Sequence, residues 1–172
     1  MRNIINKGIT EEHVFNAIEL AAAAGMKNIK LYYMLGLPGE ADSDIEEMIA
    51  MIGRVREKMD AALNKGDLII SVNGFIPKPF TPFQWSPLCD VKTLKRRFKM
   101  LETAFKKAKH IQVQTESLKE TVLQAVLARG DRRIGTALLE AFRREMPLKQ
   151  VLKEQGLDKN TICLLYTSPS PR

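Results

Sequence analysis

Cysteine is nearly absent. Cys89 and Cys163 are the two in 172 residues, too few and too far apart for a disulfide scaffold, which points to a reducing, cytoplasmic setting. Long apolar runs are missing as well: the longest are strand-sized and broken by Lys30, Asn73 or Pro77, far short of the ~20 residues that cross a bilayer, so no membrane role is expected. The opening MRNIINKGITEEH lacks the basic-then-apolar order of a secretory signal. Aromatics make up 6% of the chain, and in its most basic stretch Phe98 and Phe105 lie seven apart, the spacing of a helix's core face rather than of a base-stacking platform.

What is present is a globular mixture, 45% hydrophobic and 27% charged, with a net charge of +7. The positive charge is concentrated. Lys92, Lys95, Arg96, Arg97, Lys99, Lys106, Lys107 and Lys109 face one acid, Glu102, between Lys92 and His110. Such a surface suits phosphate or an acidic partner; it equally suits a solvated helix balancing the acidic stretch Glu40 to Glu47.

The periodicity predicts alternating helices and strands. Thr10 caps a helix whose apolar stripe is Val14, Ala17, Ile18, Ala21 and Ala24, closed by Gly25. A strand follows at Asn28 to Leu35, with Ile29, Leu31, Tyr33 and Leu35 on one face and Lys30, Tyr32 and Met34 on the other. After the turn Gly36-Leu37-Pro38-Gly39-Glu40, Ser43 and Glu46 form a capping box for a helix striped by Ile45, Met48, Ile49, Ile52, Val55 and Met59. The run LIISV in a second strand, Leu68 to Ile76, predicts burial on both faces, as in a parallel sheet.

Further on, three prolines between Pro77 and Pro82 require the segment Pro77 to Trp85 to be a rigid loop. A basic helix from about Val91 to Lys107, a weak strand candidate at His110 to Thr115, and helices at about Ser117 to Leu127 and Ile134 to Arg144 complete the pattern, Asp131 serving as an N-cap. The last ten residues, Cys163 to Arg172, break the pattern with a Ser-Pro repeat and are expected to be a read-through scar.

Three motifs in this order carry a resemblance. The stretch INKGITEEHVFNAIELAAAAGMKNIKLYYMLGLPGEADSDI resembles the later barrel strands of radical S-adenosylmethionine enzymes, and VNGFIPKPFTPFQW and LARGDRRIGTALLEAF resemble the branch that carries a cobalamin-binding-type domain. The resemblance implies an α/β fold: residues 1–90 as the C-terminal part of a parallel β/α barrel with the N-terminal barrel half missing, 91–162 as a helical extension, and 163–172 outside the fold. It further implies an enzyme that cleaves S-adenosylmethionine at a [4Fe–4S] cluster and uses the 5′-deoxyadenosyl radical, or a cobalamin-borne methyl group, on a substrate the sequence does not reveal. The family's Cys-x3-Cys-x2-Cys loop is not in this chain, so the polypeptide alone is expected to be inactive.

Residue by residue, the resemblance implies that Leu35, Gly36, Leu37, Pro38, Gly39 and Glu40 pack beside the adenosyl group. Independently, glycines at the C-terminal end of a parallel strand let a flat ring or a phosphate approach the backbone, although a tight strand-to-helix turn needs them too. Glu40 suits a ribose hydroxyl or the dipole of the following helix. The proline-stiffened loop is expected at the same rim, presenting Lys78, Thr81, Gln84 and Trp85 to a substrate; its alternative is plain packing. No residue qualifies as a catalytic acid or base. The competing function is an RNA-binding module acting through residues 92–109. A hydrolase is disfavoured because neither Ser71 nor Cys89 has a histidine in a recognisable motif.

Overall fold

The computed structural model describes residues 7–62 and 65–157; the expected scar at 163–172, with Cys163, lies outside them. The elements alternate as expected: α1 (Glu11–Ala23), β1 (Ile29–Leu35), α2 (Asp42–Ala61), β2 (Leu68–Gly74), α3 (Val91–Phe105), β3 (Ile111–Thr115), α4 (Leu118–Arg129), α5 (Arg132–Arg143) and α6 (Leu148–Glu154). The weak candidate after His110 is a full strand. Both ladders are parallel, with Leu31 opposite Ile70 and Ile70 opposite Val113.

The partial barrel expected above is not built. Strand order is β1-β2-β3, an open three-stranded sheet whose two outer edges are unpaired among the described residues. Closure of a barrel of this kind takes eight strands, whereas after β3 the described residues supply α4, α5 and α6 and no further strand. The architecture is an α/β domain with a small parallel sheet and, among the described residues, six helices.

The sheet is covered on one side. Ile29, Leu31, Tyr33 and Leu35 of β1, Leu68, Ile70 and Val72 of β2, and Ile111 and Val113 of β3 share a face, because side chains two apart on a strand point the same way. Onto that face pack Ile18 of α1, the predicted α2 stripe Ile45, Ile52, Val55 and Met59, and Leu94, Phe98 and Leu101 of α3. Each fully buried side chain of this size contributes about 1.5–3 kcal/mol by leaving water. The opposite face shows Lys30, Tyr32, Met34, Asn73, Gln112 and Gln114 to solvent, with Ile69 and Ser71 half-buried. The expectation that LIISV is buried on both faces is therefore corrected: its burial alternates, since among the described residues no helix layer covers the second side.

A second apolar cluster gathers Ile76 and Leu88 from the loop after β2 with Ala125 and Val126 of α4, Ile134, Ala137 and Ala141 of α5, and Val151, Leu152 and Leu157 in and after α6. Asp131 caps α5 as expected, accepting from Arg133 N–H at 2.9 Å. The α2 cap differs from the prediction. The helix starts at Asp42, and it is Asp44 whose carboxylate takes the Ala41 amide at 2.8 Å, while Asp42 pairs with Arg96 and Arg97 from α3.

The two clusters meet at Gly74, where β2 ends. A Cβ there would lie 2.5 Å from Thr121 Cγ2 and 3.0 Å from Leu94 Cδ2, so α4 is seated where only a hydrogen fits. Gly74→Ala is expected to destabilise the fold by about 1–3 kcal/mol, the usual cost of overpacking, read as a lowered urea midpoint; an unchanged midpoint would show that α4 does not rest on β2.

Candidate functional site

The turn after β1 is built from Leu37 to Glu40. Pro38 precedes Gly39, whose φ is +79°, and Glu40 N–H donates to the Leu37 carbonyl at 3.1 Å. Proline at the second and glycine at the third position are what a type II turn requires. Before it, Gly36 sits at φ +91° and is pressed against Cys89, so that a Cβ on Gly36 would come 2.8 Å from Cys89 Cβ. The two glycines have different surroundings. Gly36 is walled in, whereas a Cβ at Gly39 would meet nothing within 4 Å, leaving the backbone there open to an approaching molecule.

Glu40 folds back into the turn. Its Oε2 accepts from Gly36 N–H at 2.7 Å and from Arg97 Nη1 at 2.6 Å, and its side chain is 1% exposed against 8% for Arg97. Arg97 Nη2 donates to the Glu40 carbonyl at 2.6 Å, and its Nε reaches Asp42 Oδ1 at 3.3 Å. Beside it Arg96 forms a two-pronged pair with Asp42. Burial pushes the Glu40 carboxyl above the ordinary glutamate range, against the opposing pull of the Gly36 amide and Arg97. The Cys89 thiol is likewise raised by burial, with Arg97 working the other way. Asp42 is held low, chiefly by its bond to Arg96.

The six residues expected at a cofactor therefore divide. Leu35, Gly36 and Leu37 are buried, Pro38 is half-buried, and Gly39 is exposed. The Glu40 carboxylate is committed to the protein, which leaves backbone at Gly39 and Glu40 as the accessible part. Leu37 and Glu40 also line a groove of about 560 Å³ with Tyr32, Met34, Met48 and Asn73.

The loop after β2 starts at the same rim: Leu35 and Gly74 are register partners, and Phe75 N–H donates to the Leu35 carbonyl at 2.7 Å. Its return brings Cys89 against Gly36. The four loop residues singled out from sequence do not line the groove. Thr81 Oγ1 donates to the Lys78 carbonyl at 2.8 Å, and Gln84 Oε1 accepts from Phe80 N–H at 3.2 Å, so Thr81 and Gln84 fasten the loop to itself. Lys78 and Trp85 are exposed. The loop is anchored by Phe75 and Phe83, edge to face at 5.4 Å, and by Arg129, which donates to the Ser86 carbonyl.

Sequence reasoning missed two residues. By charge Arg97 groups with the surface lysines; its place three after Leu94 and one before Phe98, on the buried stripe of α3, is the available signal. Phe80 is 97% exposed in the left-handed region at φ +61°, a conformation costly for a residue with a side chain, and nothing in the sequence marks it.

No protein-family model matches the chain, and no solved structure does. Over 174 aligned residues it is 34% identical to the uncharacterized protein MJ0966 of Methanocaldococcus jannaschii, the match covering 94% of this chain. The chain spans 37% of that relative's length.

The raised Glu40 carboxyl has a pH consequence. Between the unfolded value and the higher folded one, the fold retains a proton that the unfolded chain has released, so Glu40's contribution to stability is fully present at low pH and is lost as pH rises through the folded value. Urea denaturation from pH 4 to pH 8 is expected to show wild type losing stability across that window relative to Glu40→Gln, which cannot ionise; parallel profiles would contradict the assignment.

Proposed function

We propose that this chain supplies the nucleoside-contacting rim of a radical S-adenosylmethionine enzyme, the rest of which belongs to a longer protein. One observation carries the reading: the Gly-Leu-Pro-Gly-Glu turn stands at the C-terminal end of a parallel strand, where ligands bind in open α/β sheets, with the backbone at Gly39 left uncovered. A flat adenine or a ribose edge fits against such a backbone. The proline-rich loop rising from the neighbouring strand at the same rim supports it further.

The iron–sulfur cluster is a different matter. Among the described residues no three His, Cys, Asp or Glu side chains are grouped to hold a metal, and Cys89 is a single free thiol. The cluster, and the reductive cleavage it supplies when bound, therefore belong to residues other than the described ones, and cobalamin has no residue assigned to it. In this reading the chain works in the cytoplasm and is inactive alone. Among the described residues no helix is long and apolar enough to cross a membrane.

The test is an amide NMR titration of the chain with 5′-deoxyadenosine. Shifts concentrated at Leu37, Gly39 and Glu40 are expected. No shifts, or shifts confined to α3, would remove the nucleoside reading.

A second reading has its own observation. Lys92, Lys95, Lys99, Lys106, Lys107 and Lys109 are all exposed, and none is ion-paired among the described residues. A lysine face of this kind binds RNA phosphates by releasing counterions. RNA affinity that falls steeply with salt, and that Lys95→Glu with Lys99→Glu reduces about tenfold, would favour it; salt-independent or absent binding would dismiss it.

A further inference from the structure

Resting on the nucleoside reading, we propose that Arg97 is a positioning residue, its guanidinium fixing the shape of the Gly36–Glu40 turn that meets the ligand. The argument starts from geometry. One planar group reaches three acceptors on the turn and the helix after it: the Glu40 carboxylate, the Glu40 backbone carbonyl and the Asp42 carboxylate. The carboxylate it grips is the one that accepts the Gly36 amide. Arg97 thus determines where Gly36 and Glu40 sit, and through them the strand end and the start of α2, without itself being open to solvent. A lysine ammonium is a compact charge on a flexible stem and does not reproduce the fork.

Stability alone does not account for such a pair. Removing two charges from water costs several kcal/mol per ion, and apolar replacement of a buried pair is often neutral or stabilising. The raised Glu40 carboxyl is the local sign of that cost. What the pair adds is a single geometry: the turn has its carboxylate and its last carbonyl tied to a helix that is independently seated in the core by Leu94, Phe98 and Leu101. Gly39, the residue immediately before the clamped Glu40, is then presented in one place.

The experiment separates positioning from stability by comparing Arg97→Met, Arg97→Lys and the double variant Glu40→Gln with Arg97→Met. Three quantities are read: the urea midpoint, the exchange rate of the Gly36 amide, and affinity for 5′-deoxyadenosine. Arg97→Met strands a buried carboxylate and is expected to lower the midpoint; the double variant, with both charges gone, is expected to recover it. In the double variant and in Arg97→Lys the Gly36 amide is expected to exchange about tenfold or more faster than in wild type, with nucleoside affinity about tenfold weaker. Recovery of midpoint, Gly36 protection and affinity together in the double variant would overturn the proposal, since Arg97 would then be only one half of a structural ion pair. If wild type binds no 5′-deoxyadenosine, the nucleoside reading falls and Gly36 exchange decides alone: fast exchange in a stable double variant supports a clamp on the turn, and wild-type protection rejects it.

Discussion

Between α3 and the end of β1 lies a guanidinium almost removed from water, and several features of the molecule follow from where it sits. Arg97 is carried by a helix whose Leu94, Phe98 and Leu101 are packed into the core beneath the sheet, so its position is set by the core rather than by its own bonds. From there it takes the Glu40 carboxylate and carbonyl. Glu40 in turn takes the Gly36 amide, and the crowded side of Gly36 receives Cys89 as the next loop returns. Helix, turn and loop are thus joined through one charged contact. Removing only one partner would leave a buried charge without compensation, the expensive case for such pairs.

The alternation of helix and strand was plain in the sequence because apolar spacing reports burial on one face of each element, and here each element has one buried face. The α2 stripe and the odd positions of β1 are where the spacing put them. The barrel was not there to be found: closure depends on which strands lie beside β1 and β3, and no local pattern in β1 or β3 states that. LIISV misled for a related reason. Ile69 and Ser71 are apolar or small enough for a buried face, but burial depends on a covering layer that the segment itself does not encode.

At the rim the sequence exposed the turn and hid what holds it. Gly36, Pro38 and Gly39 announce themselves because few residues fit their backbone angles or are favoured at those turn positions. The fate of the Glu40 carboxylate was not readable, since its partner lies 57 residues away in a stretch whose lysines drew attention to surface charge. Thr81 and Gln84 show the converse. Their side chains suit a substrate, yet they satisfy the backbone of their own loop, as polar residues in proline-stiffened turns commonly do.

The apolar interior is divided in two, one part under the sheet and one among α4, α5 and α6. They are linked by α4 at Gly74 and by the Arg129 bond to Ser86. A chain with its interior split in this way is expected to unfold as two cooperative units rather than one. On heating, the helical trio is the part positioned to come away first, and a calorimeter would then record a transition whose van 't Hoff enthalpy is smaller than the heat absorbed, because the parallel ribbons and their three covering helices keep their own interior when the remainder has melted.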